Sequence, residues 1–363
     1  MWYGAIFVAA GLLALPLVFA AERVGISLGL VDRPREGENQ QHEAPRTGGY
    51  GVFLAFWIAI VLSFVVSPAG LERLPNDTLR IIGVFLGSVV LLPFAMVDDV
   101  RRLGPGPQLL GQVAAATIPV VFGVRMEEIA TPFGPLQIPD ALAGPLAAFW
   151  IVGMINAINL LDGMDGLAAG VAAIASSVLL VRMSWFDQAS IAVLPLALAG
   201  SCVGFLTRNW HPSKVILGTS GSYLLGYLLG VITLVGGVKI GTAFLVLAVP
   251  ILDVGWVIYR RVSQRRSPFK GGDSEHLAHR LRMLGLSDRR IVLSVYAVCA
   301  SIGAAVLAMH SVLPTLGKIY LLGIVSVAVS ATIALVGRMA TARARQDGDT
   351  TPLPNPPPQG GSG

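Results

Sequence analysis

Amide and carboxylate side chains recur every three residues in one short segment between two long apolar stretches. The segment reads NAINLLDGMDGLAAG over residues 156–170, and the recurring positions are Asn156, Asn159, Asp162 and Asp165. On an α-helix such a row drifts by about 60° per step, so the first three residues share one half of the surface. A cap on the following helix would explain Asp165 but not the other three. Hard oxygen ligands of this kind indicate Mg²⁺, which is held by one or two carboxylates together with substrate phosphates.

A second pair of carboxylates, Asp98 and Asp99, stands at the end of another apolar stretch. Adjacent carboxylates repel each other unless they share a cation or a proton. Arg101 and Arg102 follow, so a solvated helix end is the simpler interpretation of the pair alone. Together with the Asn and Asp series, the pair favours a cation site, with Asp99 and Asp162 as the predicted metal ligands.

The complementary positive charge lies in a third polar segment. His276, His279 and Arg280 are spaced i, i+3 and i+4, so they would share one face of a helix. A neighbouring apolar stripe indicates that this helix lies along the membrane surface; it consists of Leu277, Leu281 and Leu284. If these segments meet, the cations could bind phosphate groups opposite the carboxylates, with Asn209 and Lys214 adding further polar groups.

The composition predicts an all-α polytopic integral membrane protein. Of 363 residues, 54% are hydrophobic and 13% charged, and the mean hydropathy is +0.71; soluble domains carry about 25% charged residues. A spanning helix needs about 20 apolar residues, and eleven segments meet this need. They lie near 4–21, 50–68, 79–97, 108–124, 140–158, 166–183, 189–206, 216–235, 240–259, 290–309 and 313–337.

The distribution of Lys and Arg predicts which loops face the cytoplasm. The loops after the first, third, fifth, seventh and ninth apolar segments, together with the C-terminal tail, hold 20 of the 26 basic residues. These loops are therefore expected in the cytoplasm, with the N-terminus outside. This bias also accounts for the net charge of +5 without nucleic-acid binding. Residues 1–337 are predicted to form a transmembrane catalytic domain, and 338–363 a disordered Pro/Gly-rich cytoplasmic tail.

Nearly all the unusual polar residues fall in the loops predicted to be cytoplasmic, whereas the external loops are short. The longest external loop, RMEEIATPFGPLQIP over 125–139, is predicted to form a small hairpin. A pocket at the membrane surface with carboxylates for a metal and cations for phosphates implies two phosphorylated substrates, one soluble and one lipid.

Four motifs resemble those of one family. NAINLLDGMDGLAAG is nearly the family pattern NxxNxxDGxDGLA, and VDDVRRLGP resembles DDxxxLxP. DRP…H…PRTGG over 32–49, which includes His42, and FKGGDSEHLAHRL over 269–281 resemble the first and last cytoplasmic loops of one branch. The family is that of the polyprenyl-phosphate N-acetylhexosamine-1-phosphate transferases, the WecA/TagO/MraY-like glycosyltransferase family 4, and the branch is WecA/TagO. The resemblance covers about residues 1–335.

This resemblance implies transfer of a HexNAc-1-phosphate, with GlcNAc-1-phosphate favoured, from a UDP-sugar to undecaprenyl phosphate, releasing UMP. Mg²⁺ is the implied cofactor, and the implied location is the bacterial cell membrane, at the first membrane step of a cell-envelope polysaccharide pathway. The implied catalytic residues are Asp98, Asp99, Asp162, Asp165, His276 and His279. The implied substrate-binding residues are Asn156, Asn159, Asn209, Lys214, Arg280 and His42.

Four positions depart from the family pattern. Thr219 replaces an Asp proposed to bind Mg²⁺, Gln108 replaces a Lys, Ser274 replaces an Arg, and Ala278 replaces the middle His of HxHH. Because a neutral hydroxyl is a weak ligand, we expect Mg²⁺ to bind weakly. We still expect an active enzyme, because the six implied catalytic residues all remain.

Three other functions stay open at this point. A secondary transporter would explain many helices, and Asp253 inside an apolar segment favours it, although the Asp pairs lie at helix ends rather than near the midplane. A CDP-alcohol phosphatidyltransferase would need a DGxxAR signature, whereas Asp165-Gly166 is followed by Leu-Ala-Ala-Gly. A catalytically silent homologue would explain Thr219 and Ala278. The patterns do not choose among GlcNAc, GalNAc and modified sugars, and they leave a homodimer open.

The predicted topology can be tested by cysteine labelling. A Ser287→Cys variant should resist a membrane-impermeant maleimide added to intact cells, because the 272–288 loop is expected inside. Glu127→Cys, in the external loop, should be labelled and serves as the control. Both native cysteines lie in apolar segments and should add little background. Labelling of Ser287→Cys from outside would refute the topology.

Overall fold

The computed structural model describes residues 2–32, 43–66, 75–131, 134–185, 190–235, 244–245, 247–265, 276–308 and 315–346. Within these ranges the chain forms twelve helices and four short strands. The first eight helices are α1 (Trp2–Ser27), α2 (Gly48–Val66), α3 (Pro75–Arg101), α4 (Pro105–Val121), α5 (Asp140–Leu161), α6 (Leu167–Ser184), α7 (Val193–Asn209) and α8 (Gly218–Val235). The remaining four are α9 (Ala248–Ser263), α10 (Leu277–Met283), α11 (Asp288–Ala308) and α12 (Thr315–Gln346).

Each of the eleven predicted segments overlaps one of these helices, and α10 is the helix predicted at the membrane surface. Eight helices in the described ranges are long and apolar enough to cross a membrane. The other three, α4, α7 and α9, have 17, 17 and 16 residues. The protein is therefore a largely helical, multi-pass membrane protein, and the count of eleven crossings stays a prediction.

Two antiparallel strand pairs interrupt the helices. The antiparallel pair β3 (Glu128–Thr131) and β4 (Gly134–Gln137) confirms the predicted hairpin, whose external location stays a prediction. The sequence did not predict the pair β1 (Val31–Asp32) and β2 (Ala44–Pro45), which joins the two ends of the first long loop. This second pair brings Asp32 close to Arg46, and both residues reach the site described below.

The centre of the bundle is α8, of which 83% is buried inside the protein, whereas only 11% of the spanning part of α12 is buried. Lipid is as apolar as a leucine side chain, so helices in a membrane associate through close packing, often at small residues. Gly226 of α8 meets the backbone of α5: a Cβ at this position would lie 2.5 Å from the Met154 carbonyl oxygen and 2.6 Å from the Ile155 Cα. This close approach fixes α5 against α8, and both helices supply site residues.

The loops group at the two ends of α3 in the way that the charge pattern predicted. At its amino end, Arg80 Nε donates to the Gly123 carbonyl at 3.3 Å, and Ser190 donates to Asp77. These contacts join loops that were predicted to be external. At its carboxyl end, Asp98 and Asp99 contact the loop that precedes α8. The loops predicted to be cytoplasmic thus converge at the opposite end of the bundle.

Helix α12 extends past the predicted boundary between the membrane domain and the tail. Helix α12 continues to Gln346, beyond the predicted end of the membrane domain at residue 337. Its last turns carry Arg338, Arg343 and Arg345. Polar residues such as these can form the solvated end of a helix as well as a tail, so the end of the apolar segment does not mark the end of the helix. The rest of the tail, 347–363, lies outside the described residues, as do His42 and Ser274.

A Gly226→Ala variant should be destabilised, because its new methyl group would meet the backbone of α5. Overpacking of this kind typically costs about 1–3 kcal/mol, which should lower the Tm in detergent by several degrees. Gly153→Ala is the matched control, since nothing lies within 4 Å of a Cβ built at Gly153, which is on α5 itself. An equal Tm for the two variants would contradict the proposed α5–α8 packing.

Candidate functional site

Four loops at the carboxyl end of α3 enclose a polar cleft of about 310 Å³. Its walls come from the β1–β2 pair, the end of α3, the α5–α6 connection and the α7–α8 loop. The polar and glycine residues that line it are Asp32, Arg46, Arg102, Asn159, Asp162, Gly163, Asp165, Asn209, Gly218, Thr219 and Ser222. Four residues predicted from the sequence thus lie here together, namely Asn159, Asp162, Asp165 and Asn209.

The α5–α6 connection presents its carboxylates because the chain reverses sharply after α5. Helix α5 ends at Leu161, and Asp162 follows as its C-cap with its side chain in the cleft. Gly166 begins α6 with φ +78°, in the left-handed region that favours glycine. Its N–H donates to Asn209 Oδ1 at 2.9 Å, and its carbonyl accepts a hydrogen bond from the Tyr296 hydroxyl. Asn209, whose Nδ2 donates to the Val215 carbonyl at 2.9 Å, therefore supports the turn.

Asp165 is paired with a histidine that the sequence analysis missed. Its Oδ2 lies 2.9 Å from His211 Nδ1 and accepts a hydrogen bond from the Ser213 N–H at 3.1 Å. His211 stands two residues after Asn209 in the polar segment that follows α7, and that position was the available signal. This pairing links the α5–α6 connection to the α7–α8 loop.

Asp98 accepts three hydrogen bonds, all from neutral donors, and is 7% exposed. Its Oδ1 accepts from the Leu103 N–H and from Gln108 Nε2, both at 2.8 Å. Its Oδ2 accepts from the Thr219 hydroxyl at 2.9 Å. Gln108 and Thr219, two separate departures from the family motifs, therefore contact the same carboxylate from two different helices. Both are neutral, so the pair adds no net charge around Asp98.

Asp99 caps the amino end of α8 from a neighbouring helix. Its Oδ1 accepts from the Thr219 N–H at 2.7 Å, and its Oδ2 accepts from the Ser220 N–H at 3.1 Å. These N–H groups belong to the first turn of α8, which has no intrahelical partners for them. An anion is also favoured there by the helix dipole. Asp99 therefore borders the cleft through Thr219.

The two asparagines of α5 have different surroundings. Asn159 lines the cleft, and its Oδ1 accepts a hydrogen bond from the Ser222 hydroxyl at 2.8 Å. Asn156 lies one turn further into the bundle against α4, where its Nδ2 donates to Gln112 Oε1 at 2.6 Å. Asn156 was predicted to contact substrate, whereas in this structure it joins α5 to α4. The reason is that residues spaced by three drift around a helix, so Asn156 and Asn159 point in different directions.

The cations of the cleft are arginines that the sequence analysis did not assign to the site. Arg46 Nη2 lies 2.6 Å from Asp32 Oδ1, and Arg102 Nη2 lies 3.7 Å from the same oxygen. Asp32 thus holds two guanidinium groups at one wall of the cleft. Arg46 belongs to the PRTGG motif and Arg102 to the VDDVRRLGP motif, so their signal was present in the quoted motifs. Lys214, which was predicted to bind substrate, is exposed beside the cleft rather than lining it.

The three residues predicted to form a cationic face on α10 have different surroundings in the structure. Arg280 is only 3% exposed, and its Nη1 donates to the Ile333 carbonyl of α12 at 3.1 Å. Arg280 therefore contacts α12 and does not line the cleft. His276 is buried beside Asp253, next to a small cavity that shares Leu160 and Gly163 with the cleft. His279 is half-buried on α10.

The described side chains suit a cation that takes few ligands from the protein. Among the described residues, no group of three or more His, Cys, Asp or Glu side chains is gathered as a closed metal site. Asp98 and Asp99 accept hydrogen bonds from the protein on all four oxygens. Asp162 lines the cleft, and Asp99 adjoins it. This donor set fits Mg²⁺, which usually keeps several waters and binds substrate phosphates.

The fold and the cleft define a multi-pass membrane protein with a polar cleft, lined by charged side chains, at one end of its bundle. Residues 81–237 match the family model described as Glycosyl transferase family 4. The chain is 31% identical over 325 residues to the "Probable undecaprenyl-phosphate N-acetylglucosaminyl 1-phosphate transferase" of Bacillus subtilis, covering 87% of this chain and 88% of that relative. The chain therefore belongs to glycosyl transferase family 4, which confirms the resemblance seen in the motifs.

Two further relatives are also similar to this chain over more than two thirds of its length. The "Decaprenyl-phosphate N-acetylglucosaminephosphotransferase" of Mycobacterium tuberculosis is 32% identical over 303 residues, covering 74% of this chain and 73% of the relative. The "Phospho-N-acetylmuramoyl-pentapeptide-transferase" of Desulforudis audaxviator is 31% identical over 283 residues, covering 71% of this chain and 82% of the relative.

A Thr219→Asp variant should make stability depend on Mg²⁺. The new carboxylate would face Asp98 at hydrogen-bond distance, and such a pair needs a shared cation or proton. Its Tm should fall by several degrees in EDTA and recover when Mg²⁺ is added. Adding Gln108→Lys should restore the Tm without metal, since an ammonium would then adjoin Asp98. Thr219→Ser keeps the hydroxyl donor and is the control. A Thr219→Asp variant with a normal Tm in EDTA would contradict the described Asp98–Thr219 contact.

Proposed function

We propose that this protein transfers an N-acetylhexosamine-1-phosphate, GlcNAc-1-phosphate above all, from a UDP-sugar to undecaprenyl phosphate and releases UMP. The observation that carries the proposal is the single cleft that gathers Asp162, Asp165, Asn159 and two arginines from loops far apart in the chain. The names of the relatives, which include undecaprenyl- and decaprenyl-phosphate N-acetylglucosamine transferases, support the sugar and the lipid. The proposed place of the reaction is the cytoplasmic face of the bacterial cell membrane.

The reaction exchanges one phosphorus–oxygen bond for another. An oxygen of the lipid phosphate attacks the β-phosphorus of the UDP-sugar, and the bond from that phosphorus to the UMP oxygen breaks. A phosphate monoester has a second pKa of about 6, so the nucleophile is largely ionised at neutral pH. A general base is therefore a minor need, and the main obstacle is the repulsion between two anions.

The residues of the cleft address this repulsion. Arg46 and Arg102 offer guanidinium groups to phosphate oxygens, and Asp32 holds both groups at the cleft wall. Asn159 and Asp162 orient the nucleotide-sugar or the cation that accompanies it. Mg²⁺, for which Asp162 and Asp99 are the proposed ligands, would neutralise charge on the pyrophosphate when bound.

The rival functions receive less support from the geometry. Asp253, the residue that favoured a transporter, is paired with His276 and the start of α10. A catalytically silent homologue is the second candidate, because Thr219 occupies the position of a predicted metal ligand. An assay of purified protein in detergent with labelled UDP-GlcNAc, UDP-GalNAc and undecaprenyl phosphate separates these cases. UMP release that depends on lipid phosphate supports the transferase, and no release at any Mg²⁺ concentration supports the silent homologue.

Asp162→Asn should lower kcat/KM for UMP release by about 10²–10³, the loss typical when one charge-stabilising group is removed from a phosphoryl or acyl transfer site. Asp140→Asn is the matched control, because Asp140 is exposed at the other end of α5. Excess EDTA should abolish the wild-type rate, and a high Mg²⁺ concentration should be needed to restore it. Full activity of Asp162→Asn, or of the wild type in EDTA, would remove the carboxylate or the metal from this mechanism.

A further inference from the structure

Asp253 is a carboxylate buried in an apolar helix. It lies within α9 and is 5% exposed. Acidic side chains in membrane helices are rare and costly, and they persist where they are paired and serve a function. The proposed reaction, as described for the cleft, makes no use of this residue.

Within the described residues, the partners of Asp253 belong to α10 and its N-cap. Its Oδ2 lies 2.9 Å from His276 Nδ1, and its Oδ1 accepts a hydrogen bond from the Leu277 N–H at 2.9 Å. Arg280 Nη2 lies 3.8 Å from the same Oδ1. Helix α10 has only seven residues, and a helix this short is not stable by itself. Asp253 on one side and the Arg280–Ile333 contact on the other therefore hold α10 in place.

This geometry selects one ring nitrogen of His276. An ionised carboxylate can only accept hydrogen bonds, so Nδ1 must carry the hydrogen in the contact with Asp253. The other nitrogen, Nε2, is then the one left for a ligand, as in metal sites and catalytic sites where an outer carboxylate fixes the histidine tautomer. His276 is 6% exposed, and the small cavity that it lines shares Leu160 and Gly163 with the cleft.

We propose that Asp253 is a positioning residue that fixes the Nδ1–H form and the orientation of His276, so that Nε2 meets the substrate at the Leu160–Gly163 wall of the cleft. The inference rests on the proposed transferase function, because it assumes that the cleft holds the sugar-phosphate substrates. It assigns a role to the carboxylate that first suggested a transporter. It also separates His276, which lines the small cavity next to the cleft, from Arg280, which serves as an anchor.

A double-mutant cycle on kcat/KM tests whether Asp253 acts through His276. Asp253→Asn should lower kcat/KM by about 10–100-fold, the loss typical of an outer-shell partner. In a His276→Asn background, Asp253→Asn should add less than about threefold, because the ring that it positions is gone. Losses that add in full, or near-normal activity of Asp253→Asn, would overturn the proposal. Asp288→Asn is the matched control, since Asp288, at the start of α11, binds Arg282 of α10 at 2.8 and 2.7 Å without contacting His276. It should change kcat/KM by less than about threefold.

A spectroscopic measurement on the full chain is independent of turnover. The sequence has five histidines, and the ¹⁵N resonances of His276 are identified by their loss in His276→Asn. In the wild type, Nδ1 of His276 should be protonated, and Asp253→Asn should change that protonation pattern, because an amide N–H can donate to Nδ1. An unchanged His276 spectrum in Asp253→Asn would refute the positioning role. An inactive wild type with the expected spectrum would refute the transferase proposal while leaving the Asp253–His276 arrangement supported.

Discussion

The amino end of α8 is the point on which the rest of the site depends. The first N–H groups of a helix have no partners within it, so they need acceptors from elsewhere. Asp99 of α3 accepts hydrogen bonds from two of these groups, those of Thr219 and Ser220. Because α8 is the most buried of the spanning helices described, this cap fixes its position relative to α3.

The neighbouring helices are attached to the same point. Asp98, next in the chain to Asp99, accepts hydrogen bonds from Gln108 of α4 and from the Thr219 hydroxyl of α8. Ser222, one turn further along α8, donates to Asn159 of α5. Four helices thus meet through two carboxylates and one hydroxyl–amide contact. The carboxylates that the motifs marked for chemistry also hold the cleft together, so loss of activity in their variants has to be separated from loss of folding.

The charges of the cleft are arranged to be stable without a substrate. Two arginines share Asp32, and Asp165 is paired with His211. The Arg46 and Arg102 side chains are 21% and 46% exposed, so a phosphate in the cleft can reach both guanidinium groups. The more deeply buried pair, Asp253 with His276, differs in kind, because separating a buried pair is costly. The site therefore combines adjustable contacts at its surface with a rigid contact behind it.

Much of the fold and the family could be predicted from the sequence. Hydropathy located a helix in each of the eleven predicted segments, and the basic residues sorted the loops into two groups that the structure keeps apart. The motif around 156–170 pointed to Asn159, Asp162 and Asp165, which line the cleft. These features are local or compositional: they depend on how many apolar residues follow one another and on which side carries charge, and tertiary contacts do not change them.

The partner of each polar atom was decided only by the tertiary structure. Asn156 and Asn159 look equivalent in sequence, yet one meets Gln112 of α4 and the other meets Ser222 of α8. Gln108 and Thr219 looked like unrelated departures until both were found on Asp98. His211 and Arg46 belong to the site although the sequence did not assign them to it, whereas Arg280, which was assigned to it, contacts α12 instead. The physical reason is that a hydrogen bond is short and directional, so its partner is set by the packing of segments that can be more than a hundred residues apart in the chain, and no local spacing records that packing.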